Sequence, residues 1–241
     1  MLFQIIASSG TIGDKIITLL LLVLVMIISL TVHEYSHGYA AYKLGDSTAK
    51  ADGRLSLNPL RHLDPVGALM LLIIGFGYAK PVPVITRNFK KPRRDFAIVS
   101  IAGPLSNFIL AFIGALFLAL MVKLDYARVY KDMLYYVNET VPMVISLFLY
   151  YFILLNLGLG LFNLIPLPPL DGSNVVLCLL PNRLASKYAQ LRRYTPYIWI
   201  AVIALSWIPG KVGDYVFYPL TWLRDVIFEG FVGFWKLVFG I

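Results

Sequence analysis

His33, Glu34 and His37, in the string HEYSH, carry the most specific chemistry in the chain. Helix positions four apart share a face and lie about 6 Å apart along the axis, so two imidazoles at this spacing reach one zinc ion. Glu34 sits beside that face, placed to take a proton from a metal-activated water. The setting sharpens the reading. The motif follows 17 uncharged residues, 16–32 (IITLLLLVLVMIISLTV), and two of the three histidines in the chain fall within it. An ionisable side chain in a membrane helix costs about 2.5–3.5 kcal/mol or more, so its presence there points to function.

A catalytic zinc takes three protein ligands and keeps one position open. HEYSH supplies two, and Asp171 is the best candidate for the third. It ends the apolar run 140–170 inside NLIPLPPLDG, where Pro166, Pro168 and Pro169 prevent a regular helix. Irregular backbone at membrane depth survives only where protein encloses it or where it lines a wet cavity. Asp171 also reads as the N-cap of the SNVVLCLL helix, with Gly172 easing the turn. His62, in NPLRHLDP, is the rival third ligand, and a hydrogen bond to a neighbouring carboxylate is its ordinary alternative.

Two amides complete the candidates. Asn163 precedes the proline break, placed either to bind a substrate backbone or developing oxyanion or to make an interhelical hydrogen bond. Asn107, with Gly103, Pro104 and Ser106, reads first as shaping a close, kinked contact with the zinc helix, and second as a further substrate or oxyanion group. Residues 80–86 (KPVPVIT) alternate Pro and Val. They suit either an extended edge that holds an unwound substrate by strand addition or a plain surface loop. Gly158 and Gly160 read as packing residues, and Cys178 as a small buried hydrophobe.

The elements that must position these groups are membrane helices. Of 241 residues, 59% are hydrophobic and 14% charged, with a mean hydropathy of +0.76. That composition excludes a water-soluble globule, in which about 25% of residues are charged. Spans are expected at about 16–44, 96–122 and 140–165. A shorter apolar run, 195–210, with Trp199, Trp207 and Pro209, reads as a further membrane segment, and the charged, aromatic tail 215–241 as an interfacial helix. Residues 66–79 are too short for an easy crossing, so 66–86 is expected to be re-entrant or interfacial. Lys and Arg number ten in residues 43–94, and 183–193 carries four with no acid. Basic loops stay in the cytoplasm, so the motif end of the first helix is expected to open toward that side. The +8 net charge, including KKPRR at 90–94, is explained by retention and anionic lipid, not by nucleic acid.

HEYSH in the first long helix, GPLSN at 103–107 and N-x-x-P-x-P-x-L-D-G at 163–172, less one shift for the doubled proline, together resemble the site-2 protease family of intramembrane zinc metalloproteases. The resemblance covers roughly residues 16–190. NPLRHLDPVG and AKPVPV are similar to a small bacterial subgroup with neither an inserted PDZ domain nor an appended CBS pair. It implies one zinc held by His33, His37 and Asp171, Glu34 as catalytic carboxylate, and cleavage of membrane-spanning segments of other proteins. The expected fold is an all-α multi-pass membrane protein with a three-helix catalytic core and room for a small β-hairpin or re-entrant segment. Its core is expected over 1–194, followed by a C-terminal membrane segment and interfacial helix over 195–241. The expected function is a zinc endopeptidase of the cell membrane, acting on a transmembrane protein or peptide near the cytoplasmic side. A non-cleaving binding or chaperone protein with the same fold is the alternative.

Overall fold

In a computed structural model, residues 10–74, 79–130, 133–136, 140–206 and 211–241 are described. The first helix, α1, runs Ile12–Lys43. Thr11 caps it: its hydroxyl accepts from the Asp14 N–H at 3.2 Å, and the Asp14 carboxylate accepts from the Thr11 N–H at 2.9 Å. The helix ends at Leu44, and Gly45 takes the left-handed turn (φ 111°) that a side chain would resist. An irregular segment follows, with a single turn, α2 (Thr48–Ala51), and a ten-residue apolar helix, α3 (Pro65–Ile74). Leu63 bridges Ala79 antiparallel, so this excursion leaves and returns at one level.

The long helix α4 (Pro92–Lys123) starts on a proline, whose missing N–H costs nothing in the first turn. A two-stranded hairpin of β1 (Ala127–Tyr130) and β2 (Met133–Tyr136) connects it to α5 (Thr140–Asn163), with Ala127 opposite Tyr136. The hairpin thus lies at the end of α4 remote from HEYSH. Next come α6 (Asp171–Leu179), α7 (Asn182–Ala189), α8 (Thr195–Ser206) and α9 (Lys211–Phe239). Trp207 and Pro209 of the expected segment 195–210 lie outside the described residues.

Helices α1, α4 and α5 are each long and apolar enough to cross a membrane. Their side-chain pairings fix their directions. His37 meets Val99 and His33 meets Asn107, so α1 and α4 are antiparallel. A Cβ on Gly114 would touch Ile153, and one on Gly160 would touch Phe108 and the Pro104 carbonyl, so α4 and α5 are antiparallel too. The end of α1, the start of α4 and the end of α5 therefore share one end of the bundle. Gly158 has open space where its side chain would be, so of the two glycines only Gly160 serves close packing. Ala111, Ala115, Leu118, Leu149, Ile153 and Leu157 form the core with Phe228 and Val232 of α9. This helix, expected to lie in the interface, packs lengthwise on α4, where the Trp235 indole N–H donates to the Phe112 carbonyl.

Candidate metal centre

The side chains of His33, His37 and Asp171 converge. The HEYSH spacing puts both imidazoles on the α1 face turned toward α4, where they are buried. Asp171 arrives from the other side of the site. The chain leaves α5 at Asn163, breaks at the prolines and restarts with Asp171 in the first turn of α6. Leu170 occupies the cap position and no side chain caps the helix, so the Asp171 carboxylate is turned to the histidines. The break is not left with open polar groups: the Tyr188 hydroxyl donates to the Pro166 carbonyl at 2.7 Å, and the Trp199 indole N–H to the Pro168 carbonyl at 3.2 Å.

Nε2 of His33 lies 3.1 Å from Nε2 of His37, and Oδ2 of Asp171 lies 3.2 and 3.3 Å from the two. Tetrahedral zinc with bonds of about 2.0–2.1 Å spaces its ligand atoms about 3.3 Å apart, so this near-equilateral triangle has the right size. Its protonation also fits. The Nδ1 of His37 is 2.7 Å from the Val99 carbonyl, which can only accept, so the proton of the neutral ring sits on Nδ1. The Nδ1 of His33 is 2.6 Å from Oδ1 of Asn107 and is protonated for the same reason. Both Nε2 lone pairs then face a carboxylate oxygen that has no hydrogen-bonded proton. Three electron-pair donors pointed at one another repel unless a cation lies among them, which is what a metal site requires.

Two glycines make room for the triangle. A Cβ on Gly103 would overlap Nε2 of His37 and crowd Cε1 of His33, so the imidazoles lie against bare α4 backbone. A Cβ on Gly172 would collide with the Leu164 carbonyl, which is why glycine follows Asp171 where α6 folds back on the proline break.

Glu34 is half-buried beside His33, and its Oε2 accepts the Val82 N–H at 3.1 Å. Val82 stands between Pro81 and Pro83, which have no N–H, so the sole backbone donor of that triplet points at the candidate catalytic carboxylate. Gly38 admits the Val82 side chain against α1. Behind the edge, the buried Arg54 guanidinium donates to the Lys80 and Pro81 carbonyls at 2.5 and 3.3 Å. Buried Asp46 accepts from the Thr48 hydroxyl at 2.5 Å, the Ile85 N–H at 2.7 Å and the Asn88 amide at 2.7 Å. Those hydrogen bonds outweigh burial and hold its carboxyl below the ordinary carboxylate range.

The other candidates lie elsewhere. His62 is fully buried, with Nε2 2.6 Å from the Ser56 carbonyl, and is not among the metal-holding group. Its partner is a backbone oxygen, not a neighbouring carboxylate. Asn163 is half-buried and donates to Leu159 of its own helix at 3.0 Å. Asn107 is fully buried behind His33, with its carbonyl on that ring and its amide on Asn156 and Ser29. Cys178 is half-buried, not buried, and burial raises its thiol pKa while Arg93 opposes the rise. Asn156, Ser29, Arg54 and Asp46 escaped the sequence reading. An amide in the middle of an apolar helix was the available signal for Asn156.

The chain is also similar to known proteins. A family model described as "Peptidase family M50" matches residues 21–206. The chain is 45% identical over 199 residues to "Putative zinc metalloprotease YwhC" of Bacillus subtilis, a match covering 83% of this chain and 84% of the relative. It is 31% identical over 152 residues to "Putative zinc metalloprotease Rip2" of Mycobacterium tuberculosis, covering 61% of this chain and 52% of that protein. No solved structure matches.

Proposed function

From the premise that this chain belongs to peptidase family M50, the site-2 protease family of membrane zinc metalloproteases, we propose that it hydrolyses a peptide bond within or beside a membrane-spanning segment of another protein, near the cytoplasmic side. The observation that carries this is the triangle of His33, His37 and Asp171 with Glu34 one residue away. His33, His37 and Asp171 would hold a zinc ion, which would supply a Lewis acid for the scissile carbonyl and lower the pKa of water toward about 7.

The chain's own groups do the rest. Glu34 removes a proton from the attacking water and returns it to the leaving amine. Asn107 and the Val99 carbonyl keep the two imidazoles turned with Nε2 forward. Asn163, at the mouth of the proline break, has one amide proton on the Leu159 carbonyl and offers the other to the substrate backbone. A helical substrate has its carbonyls tied to its own N–H groups and must unwind before attack. The edge around Val82 and Val84 receives the unwound strand, because the hydrogen bond from the Val82 N–H to Glu34 holds that edge beside the site. The ten basic residues of 43–94 flank the site end of the bundle, which supports a cytoplasmic opening in the cell membrane.

Glu34→Gln keeps the shape and the metal triangle while removing the base. It is expected to retain about one zinc per chain and to lose cleavage of a reconstituted transmembrane peptide by about 100-fold or more. Normal cleavage by that variant would remove Glu34 from its role.

A further inference from the structure

Behind His33 the three long helices each contribute one buried polar side chain: Ser29 of α1, Asn107 of α4 and Asn156 of α5. Ser29 is 2% exposed and the two amides 0%. Their hydrogen bonds run in one direction. The Ser29 hydroxyl donates to the Val25 carbonyl at 2.7 Å, so its oxygen must accept from its other neighbour, the Asn156 amide, at 2.9 Å. The second amide proton of Asn156 goes to the Phe152 carbonyl at 2.8 Å. With its NH₂ fixed by one acceptor-only carbonyl and one committed hydroxyl, Asn156 turns its carbonyl to the Asn107 amide, which donates at 2.8 Å. The Asn107 amide also approaches the Ser29 carbonyl, at 3.4 Å. The Asn107 carbonyl is thereby left facing Nδ1 of His33 at 2.6 Å.

We propose that Asn156 is a positioning residue for the metal centre: through Asn107 it sets the tautomer of His33, forcing the proton onto Nδ1 and the lone pair onto Nε2. The inference rests on His33 being a metal ligand. A reversed Asn156 amide would set its oxygen against the Phe152 carbonyl, and a reversed Asn107 would set its oxygen against that of Asn156. In a dry helix interface neither clash has water to relieve it. The polarity is thus fixed on α5, two hydrogen bonds away from the ring it governs. His37 needs no such chain, because its Nδ1 partner is the Val99 backbone carbonyl, which has no second orientation.

The test compares Asn156→Leu with Asn156→Asp in histidine-¹⁵N-labelled, metal-free protein, at a pH alkaline enough that both rings are neutral, and in zinc competition against a chromophoric chelator. Leu has a similar volume but offers Asn107 no acceptor. It is expected to give His33 a mixture of tautomers, to leave His37 on Nδ1–H, and to weaken zinc binding about 10–100-fold. A neutral Asp, the form that burial favours, offers one C=O and one O–H. It is expected to restore the His33 tautomer and bring zinc affinity to within about threefold of native. Native His33 on Nδ1–H in the Leu variant, with unchanged zinc affinity, would overturn the proposal, as would equal losses in the Leu and Asp variants. If the Leu variant does not fold, the Asp variant decides: His33 on Nε2–H there also overturns it. Failure of the native chain to bind zinc would instead strike the metal assignment itself, and none of these readouts uses proteolysis.

Discussion

The two sides of the candidate centre are built differently. On the metal side, buried polar side chains from three packed helices bond to one another and to helix carbonyls, and carry their orientation to His33. On the opposite side, Arg54 and Asp46 grip backbone carbonyls and N–H groups of an irregular strand, residues 80–85. One arrangement fixes which ring nitrogen points forward; the other fixes where a strand edge lies. Regular helices position side chains on a fixed lattice, so side-chain networks suffice between them. An irregular segment with two prolines cannot satisfy its own backbone, and buried charged groups must do so. Damage to the metal side should therefore appear as lost zinc, and damage to the strand side as weakened substrate use with zinc intact.

The largest break should come from one methyl group. In Gly103→Ala the new Cβ needs space that Nε2 of His37 and Cε1 of His33 occupy, so both rings must leave the triangle. Zinc affinity should fall beyond the roughly 10–100-fold that loss of an outer partner costs. Zinc content after dialysis, measured by atomic absorption, checks this. Near-full occupancy would mean that α4 can retreat from α1. Elsewhere in the same helix, on the exposed face at Ile109, substitution by alanine should leave zinc unchanged.

The same contrast explains how much could be read from the sequence. His33, Glu34 and His37 lie on one helix, where chain spacing and spatial spacing are the same thing. Asp171 was legible because three prolines in an apolar run demand a reason. The three long spans were legible from length and hydropathy, with ends shifted by four residues or fewer: the second runs Pro92–Lys123 where 96–122 was expected. Asn156 was not, because its meaning depends on which helix face meets Ser29 and Asn107, and helical period within α5 does not carry that. Arg54 was absorbed in the count of basic loop residues, and Asp46 was passed over. Their partners in the 80–85 segment are backbone atoms 26 to 39 residues away, and backbone atoms leave no mark on composition. The placement of α9 along α4 was obscured by its charges, yet Arg224 and Asp225 pair with each other and leave Phe228 free to enter the core.

A smaller effect should follow from Arg54→Ala. The substitution removes the guanidinium that donates to Lys80 and Pro81, and charge-assisted hydrogen bonds of this kind contribute about 1.5–3 kcal/mol. Val82 then loses its fixed relation to Glu34. Steady-state cleavage of a reconstituted peptide should show kcat/KM reduced about tenfold, while zinc affinity stays within about twofold. Equal loss of zinc would erase the distinction between the two sides.

The smallest effect, and the one with a defined pH window, belongs to Asp46. Its native pKa is held below the unfolded value near 3.8 because the Thr48 hydroxyl, the Ile85 N–H and the Asn88 amide all stabilise the carboxylate against the cost of burial. A native pKa below the unfolded one means that the contribution is complete above about pH 4–5 and declines as pH falls through the native value. The 80–88 segment should then open at acid pH before the helical core does. Hydrogen exchange of a peptide spanning Ile85, corrected for the intrinsic rate, should show protection constant from pH 7 to 5 and reduced near pH 3. Asp46→Asn places an NH₂ where one carboxylate oxygen meets a donor, so its segment should already be less protected at pH 7 by about 1–3 kcal/mol and should lack the acid step. Zinc bound at pH 7 should be the same in both proteins, because no Asp46 hydrogen bond reaches α4, α5 or α6.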